Sequence, residues 1–331
     1  MQNHLTKIVG LLNDHEFHDG TTIGKQLHIT RAAVWKTIKK LEQYGIRLEA
    51  GKKRGYRLKE PLILLDEKKI KSLACEKTIQ MDILEKINST NDYLKYFMDK
   101  NKTLEICLAE MQTKGKGRFN RQWHSPFGQN IYFSLLYPFK KDVSELSGLS
   151  LVLGLAVCQA IQAVCSTQSL HVKWPNDVVI GNQKISGNLI EIQAESHSVC
   201  QAILGIGINV NMKDANKKEI NQSWSSLQNL TGHYYDRNIL CASLINYLLK
   251  YLKRFEQKGL TDFIVEWKSK DYLLNQSVQL ICNKKKFEGI GAGINEQGHL
   301  LLKLPDGKIH AFSSGDTSLL TCSTSKCEVN K

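Results

Sequence analysis

The stretch TTIGKQLHITRAAVWKTIKKLEQYG, residues 21–45, constrains the fold of the front of the chain more tightly than any other segment. Ahead of it, LTKIVGLLND places Leu5, Ile8, Val9 and Leu12 at helical spacing on one face. Within it run a short helix, a brief turn and a second helix. Thr30 stands where its side chain can cap that second helix, and Val34, Ile38 and Leu41 recur at i, i+4 and i+7. Gly45 ends the helix. IRLEAGKKRGYRL then alternates apolar residues on either side of a Gly-Lys-Lys-Arg-Gly turn, which is a hairpin pattern. Together these elements predict a winged helix-turn-helix over residues 1–62. A chain of 331 residues exceeds one average core, so two or three domains are expected.

Charge gives that front module a partner. The chain carries a net +13, and residues 1–60 hold twelve Lys/Arg against six acids, a local excess of 12 − 6 = +6. Arg31, Trp35, Lys36, Lys39 and Lys40 fall off the buried stripe of the second helix, and Lys52, Lys53 and Arg54 occupy the hairpin turn. Thr22, Thr30 and Ala32 sit at the helix starts, where such modules meet bases and phosphates. Basic runs often only solvate a helix face. Here the helix spacing and the basic wing agree, and DNA binding is expected.

Other features exclude whole classes. The segment 149–164, LSLVLGLAVCQAIQAV, is interrupted by Ser150, Gln159 and Gln162, so it reads as a buried helix rather than a membrane span. The start MQNHLTKIVG lacks the basic, apolar and small-residue regions of a secretory leader. Nine cysteines without a C-x-x-C pair fit reduced thiols in the cytoplasm better than a disulfide framework or a zinc site. Cytoplasmic localisation without a membrane partner is expected. Residues 63–271 alternate strand-like and helical segments, a mixed α/β pattern, and residues 272–331 show short strands between turns, as in a small SH3-like β-barrel. The expected fold class is therefore α+β multidomain.

Four segments of the middle region carry chemistry. In KWPNDVVIGNQKISGNLIE, residues 173–191, Gly181-Asn182 is a two-residue hairpin turn. An uninterrupted register then opposes Val179 to Lys184 and Val178 to Ile185, and makes Lys184 a diagonal neighbour of Asp177 on one face. An acid and a lysine there suit a phosphate site, Asp177 toward a metal and Lys184 toward developing negative charge; an ordinary cross-strand ion pair is the plain alternative. In AILGIGINVN, residues 202–211, Leu204, Ile206, Ile208 and Val210 face one way while Gly205, Gly207 and Asn209 face the other. That second face leaves room for a ligand or for tight packing. In INSTNDYL, residues 87–94, hydroxyls and amides precede an amphipathic segment, as a helix cap or a cup for a neutral polar group. QTKGKGRFNRQWHS, residues 112–125, is no GxxxxGK[ST] loop, yet Gly115 and Gly117 let backbone N–H groups approach an anion. Lys114, Lys116, Arg118 and Arg121 add charge, and Trp123 offers a face for a base.

In this order the segments resemble the bifunctional biotin protein ligases that double as repressors of the biotin operon. The carriers are STN at 89–91, GKGR at 115–118, KWPND at 173–177, KISG at 184–187 and GIGIN at 205–209, and the similarity spans nearly the whole chain. The resemblance implies a class II synthetase-like ligase domain using ATP and Mg²⁺. Such a domain converts biotin to biotinyl-5′-AMP and passes it to a lysine of the biotin carboxyl carrier domain of acetyl-CoA carboxylase. It implies catalytic roles for Lys184 and Arg118. Biotin contacts would come from Ser89, Thr90, Asn91, Gln112, Lys116, Gly117, Arg118, Lys184 and Gly187. ATP or adenylate contacts would come from Gly115, Arg121, Trp123, Asn176, Asp177 and Asn209, with Asp177 toward Mg²⁺. It also implies a homodimer that binds operator DNA when the adenylate is present.

The chain departs from the family pattern in three places. In the loop Lys116 replaces an Arg, keeping charge but losing its bidentate fork, and Phe119 and Asn120 replace an Arg-Gly pair; Asn188 fills a slot that is usually aliphatic, and GDTSLL lacks the basic residue that often follows it. A ligase without operator control, a biotin-sensing factor without catalysis, and a lipoate ligase on the same fold are the rival readings. Lys184, Asp177 and Arg118 together argue against a mere sensor.

Overall fold

The computed structural model describes residues 4–51, 54–98, 104–165, 169–196, 199–215 and 220–320. Helices α1 (His4–Leu12), α2 (Gly20–Leu27) and α3 (Arg31–Gln43) bury Leu5, Ile8, Val9, Leu12, Ile23, Val34, Ile38 and Leu41 against one another. Asp19 caps α2 by accepting from Thr21 and Thr22 N–H, and Thr30 caps α3 by accepting from Ala33 N–H at 3.1 Å. Gly24 permits the tight turn between these helices, because a Cβ there would stand 2.7 Å from the Ile29 carbonyl. Strands β1 (Leu48–Gly51) and β2 (Gly55–Leu58) pair antiparallel and form the wing. Its tip residues Lys52 and Lys53 lie outside the described residues.

From the wing the chain reaches the central region through a segment in which side chains hold six peptide groups. Leu62 N donates to Asn13 Oδ1 at 3.0 Å, and Ile63 N donates to the Tyr234 hydroxyl at 2.9 Å. Leu65 N donates to Glu110, and Asp66 N donates to Asn238 Oδ1 at 2.7 Å. The carbonyls of Ile63 and Leu64 accept from Arg237 and from Asn238 Nδ2, at 2.9 and 3.0 Å. At the centre stand Glu110 and Arg237, joined at 2.7 Å with side chains 5% and 0% exposed.

The central region then runs α4 (Glu67–Leu73), β3 (Gln80–Leu84), α5 (Thr90–Lys95), β4 (Glu105–Ala109), β5 (Ile131–Phe139), α6 (Leu149–Gln162), β6 (Leu170–Lys173), β7 (Asp177–Ile180), β8 (Gln183–Ser196), β9 (Val199–Ile208), α7 (Leu227–Thr231), α8 (Arg237–Lys258) and α9 (Ile264–Lys270). Its seven strands lie in the order β3-β4-β5-β9-β8-β7-β6, with β3 and β4 parallel and the other neighbours antiparallel. Helix α6 is the apolar run 149–164. Eleven of its residues are buried, because α8 covers one side and the sheet the other. Helix α5 sits with a smaller apolar cluster that includes Leu94, Met98, Cys107, Leu136 and Ile203.

One register differs from the sequence reading. Val179 opposes Lys184 as expected, but Val178 opposes Ser186 rather than Ile185, and Asp177 opposes Gly187. A bulge at Ile185 buries that side chain completely and shifts the rest of β8 by one residue.

The chain ends in a five-stranded antiparallel sheet of order β13-β12-β11-β10-β14. Its strands are β10 (Ser277–Cys282), β11 (Lys285–Ile294), β12 (Leu300–Lys303), β13 (Ile309–Phe312) and β14 (Asp316–Leu319). Val278, Leu280, Leu300 and Leu302 join the central core, and Trp174 bridges the two parts: its Nε1 donates to Gly298 O at 3.0 Å and its carbonyl accepts from Thr317 Oγ1 at 2.9 Å. The seven cysteines among the described residues are free, and no helix there is long and apolar enough to cross a membrane.

Removing one member of a buried ion pair strands the other. Glu110→Ala should therefore cost about 3–5 kcal/mol, read as a lowered denaturation midpoint, with faster amide exchange over residues 62–66 as the local sign.

Candidate functional site

Strand β9 alternates as its sequence requires. Leu204, Ile206 and Ile208 join the main core, while Gly205 and Gly207 open onto the opposite face. Both glycines are needed for close approach: a Cβ at 205 would stand 2.3 Å from Asn91 Oδ1, and one at 207 would stand 2.4 Å from the Trp123 indole. Beside them lies a cavity of about 890 Å³. It is lined by residues 89–91 and 116–118 and by Gly205, Ile206, Gly207 and Asn209, together with Asn176, Asp177, Lys184, Gly187, Gln112, Arg121 and Trp123. Gly115 alone of the expected cavity residues does not line it. Its carbonyl accepts from Trp123 N–H at 2.9 Å, and a Cβ there would stand 2.7 Å from Ser125 Oγ, so Gly115 lets the loop fold back on itself.

The charged end is built around Lys184. Its Nζ is 2.7 Å from Asp177 Oδ1, with both side chains under one-fifth exposed, and 5.3 Å from the centroid of the Trp123 ring. Arg118 Nη1 donates to Asn176 Oδ1 and to the Gly315 carbonyl, both at 3.3 Å. Burial pulls the Arg118 guanidinium below its ordinary value, partly countered by Asp316 and Asp177. Burial likewise depresses the Lys173 ammonium, against the pull of Asp177. Three cations therefore crowd one wall, and bringing a polyanion there would relieve their mutual repulsion. Asp177 gives this wall a carboxylate at the cavity surface. One carboxylate completed by ligand phosphates is a usual Mg²⁺ donor set.

The opposite end is neutral. Ser89 caps α5, its Oγ accepting from Asp92 N–H, so the capping role and the cavity position coincide. Thr90 N donates to Gln112 Oε1 at 2.9 Å, and Gln112 Nε2 donates to Ser125 Oγ at 3.2 Å. Lys116 pairs with Asp92. Burial raises the Asp92 carboxyl, but hydrogen bonds from Lys116 and Lys95 outweigh it and leave the group below its usual range.

Phe119 and Asn120 both adopt left-handed backbone, φ 54° and 58°. Asn tolerates this conformation and a bulky aromatic rarely does. The Phe119 ring is exposed and carries the Arg118 and Arg121 guanidinium groups at 4.7 and 6.0 Å. Asn188 is buried: its Nδ2 donates to the Ser150 carbonyl at 3.0 Å, and its backbone exchanges hydrogen bonds with Asn176 at 2.9 and 2.7 Å. It ties β8 to α6 and to the turn that presents Asp177.

Sequence reasoning missed several walls. Ile220, Asn221, Gln222 and Trp224 close one side, and Ile281, Asp316, Thr317 and Ser318 of the C-terminal sheet close another. Arg121 pairs with Asp316 across that seam. These stretches show no catalytic spacing, and only the fold brings them here.

The expected nucleic-acid residues lie on the front module and line none of this cavity. Thr22, Thr30, Arg31, Ala32, Trp35, Lys36 and Lys39 are exposed, as is Arg54, which rests over the Phe17 ring at 4.6 Å. Lys39 reaches Glu42 at 2.7 Å. Lys40 instead turns back toward the central region, where it pairs with Glu85.

Comparison with known proteins adds three family matches: the HTH domain at residues 4–57, the Biotin/lipoate A/B protein ligase family at 83–209, and the Biotin protein ligase C terminal domain at 273–320. The bifunctional ligase/repressor BirA of Salmonella typhimurium is 36% identical over 312 residues, 94% of this chain and 96% of that protein. The Bacillus subtilis protein of the same description is 31% identical, over 92% of this chain and 94% of its own. Among solved structures, biotin protein ligase from Aquifex aeolicus in complex with biotin and ATP is similar, with TM-score 0.63 and 32% identity. That match covers 73% of this chain and 98% of the Aquifex chain.

Gly207→Ala should expel the Trp123 indole from the cavity wall. The expected sign is an altered near-ultraviolet circular dichroism spectrum with an unchanged far-ultraviolet one; two unchanged spectra would show that the indole does not need that space.

Proposed function

The chain belongs to the biotin protein ligase family, in its bifunctional ligase/repressor branch, and on that premise we propose how its residues divide the work. The protein activates biotin with ATP to biotinyl-5′-AMP and pyrophosphate, then transfers the biotinyl group to a lysine of the biotin carboxyl carrier domain of acetyl-CoA carboxylase. The observation that carries the reading is a single cavity with two unlike ends. Lys184, Arg118 and Asp177 form a charged end, and Thr90 and Gln112 form a neutral one.

In the first step a biotin carboxylate oxygen attacks the α-phosphorus of ATP, the bond from that phosphorus to the α,β-bridging oxygen breaks, and pyrophosphate leaves with the electron pair. Both partners are anions, so positive charge must already be in place. Lys184 and Arg118 supply it. Asp177 would hold the Mg²⁺, which offsets triphosphate charge when bound. Binding of phosphate at this end releases Lys184 from Asp177. Trp123, held against Gly207, offers its ring face to the adenine, with Asn209, Asn176 and Arg121 as further nucleotide contacts. Ser89, Thr90, Asn91 and Gln112 take the biotin ring, and Lys116, Gly117 and Gly187 border its chain. In the second step the carrier amine attacks the acyl carbon, and AMP leaves. An acyl phosphate anhydride is open to water, so the loop 115–123 shields it until the carrier arrives.

The front module binds operator DNA. Exposed Arg31, Trp35, Lys36 and Lys39 face the groove, and the wing with Arg54 and the undescribed Lys52 and Lys53 meets phosphate. A homodimer formed with the adenylate bound would set two such modules on two half-sites. The C-terminal sheet acts as an SH3-like barrel that closes the nucleotide end through Asp316–Ser318.

Lys184→Ala should reduce pyrophosphate release at least about hundredfold with the fold intact by circular dichroism; a wild-type rate would sink the catalytic role. Arg31→Ala should weaken operator binding by about 1–3 kcal/mol in a gel shift while carrier biotinylation, weighed by mass spectrometry, is unchanged. Equal affinity for the operator would remove α3 from the groove.

A further inference from the structure

The polar protons of Thr90, Asn91, Gln112, Ser125 and Ser134 at the neutral end can be placed in sequence, and the sequence begins outside the cavity. Glu191, on β8, does not line the cavity and can only accept hydrogen bonds. Its Oε1 lies 2.7 Å from Lys95 Nζ, and its Oε2 accepts from Asn91 Nδ2 at 2.8 Å. This fixes the Asn91 amide, because turned over it would set its oxygen against the carboxylate. Asn91 Oδ1 must therefore accept, and Ser134 Oγ stands 2.6 Å away, so the one Ser134 proton is used there. Ser134 Oγ is also 2.7 Å from Thr90 Oγ1. Hydroxyl oxygens that close need a proton between them, and only Thr90 can provide it.

Gln112 is oriented from its other side. Its Oε1 accepts from Thr90 N–H at 2.9 Å, and its Nε2 donates to Ser125 Oγ, whose own proton goes to the Trp123 carbonyl at 2.9 Å. Thr90 Oγ1 also lies 3.2 Å from Gln112 Oε1, within donating range, but the single Thr90 proton cannot serve both contacts; with it spent on the shorter one to Ser134, these two oxygens face each other as acceptors. Thr90, Asn91, Ser125 and Ser134 are all buried, at most 6% exposed, so water is a poor substitute partner. A ligand N–H entering between the two oxygens would satisfy both.

We propose that Glu191 is a positioning residue that sets the hydrogen-bond polarity of this end through Asn91 and Ser134, so that the cavity selects a ligand N–H at Thr90 and Gln112. The proposal rests on the biotin reading and assigns the N–H edge of the ureido ring to this oxygen pair. Gly205 belongs to the same device, since it clears the space that the Asn91 oxygen occupies.

The test is Glu191→Gln. Lys95 claims the new amide oxygen, Nε2 then faces Asn91 and turns it over, and the run of protons reverses until Thr90 donates toward the cavity. Calorimetric titration uses biotin and the two carbamate analogues in which a ring oxygen replaces one ureido N–H. The wild-type protein should bind one analogue about 10–100-fold more weakly than biotin, because two acceptors then face an acceptor. In Glu191→Gln, biotin affinity should fall by about the same factor and the ratio between biotin and that analogue should shrink toward one. KM for ATP and the thermal midpoint should stay put. Ser134→Ala removes the oxygen that takes the Thr90 proton, sends that proton to Gln112 Oε1, and should lower the same ratio. A folded Glu191→Gln with wild-type biotin affinity and ratio overturns the proposal, as does an equal loss for both ligands, the mark of general loosening. Failure of the wild-type protein to bind biotin overturns the biotin reading, so the wild-type titration tells the two failures apart.

Discussion

The contact between Glu110 and Arg237 holds the parts of this molecule together. Arg237 opens α8, where a cation meets the unfavourable positive end of the helix, and it is wholly buried. Burial disfavours its charge and Glu110 restores it. The pair then spends its remaining capacity on backbone: Arg237 reaches the carbonyls of Asn130 and Ile63, and Glu110 accepts from Leu65. One ion pair thus joins the connecting segment, the start of β5 and the longest helix. A hydrophobic pair of the same volume could fill the space, but it could not hold those peptide groups.

Much of this was legible in the chain. Periodicity located α1, α3 and the wing, because a small module must bury one stripe per helix and therefore repeats it visibly. The glycine face of β9 was legible for a similar reason: strand alternation sends Leu204, Ile206 and Ile208 to one face and leaves Gly205 and Gly207 side by side on the other. What the glycines face was not legible. Asn91 and Trp123 arrive from segments more than eighty residues away, and nothing local specifies that meeting. The bulge at Ile185 escaped because Gln-Lys-Ile-Ser-Gly alternates acceptably in either register, and only tertiary burial of Ile185 selects one. The Glu110–Arg237 pair escaped for a plainer reason. A glutamate after a strand and an arginine at a helix start each look like surface residues until the fold encloses them.

The departures from the family pattern acquire separate physical accounts. Asn188 exchanges apolar packing for a side-chain tether from β8 to the Ser150 carbonyl of α6. Phe119 accepts a strained backbone and holds two guanidinium groups over its ring, both of which also reach the C-terminal sheet, Arg118 at the Gly315 carbonyl and Arg121 at Asp316. The loop in this chain is therefore anchored by an aromatic platform and by Asp316.

The core of the front module has a further consequence. Its apolar cluster is completed by Leu64 and by Phe127, which stacks on Tyr44 at the end of α3 with ring centroids 4.5 Å apart. Phe127 lies four residues beyond Trp123, on the strand of chain that leaves the cavity loop. The front module and the chain leaving the loop that lines the cavity therefore meet at one aromatic stack. The front module therefore does not complete its own core: a side chain from the central region fills it, and the seat of the one on the other depends on that single ring.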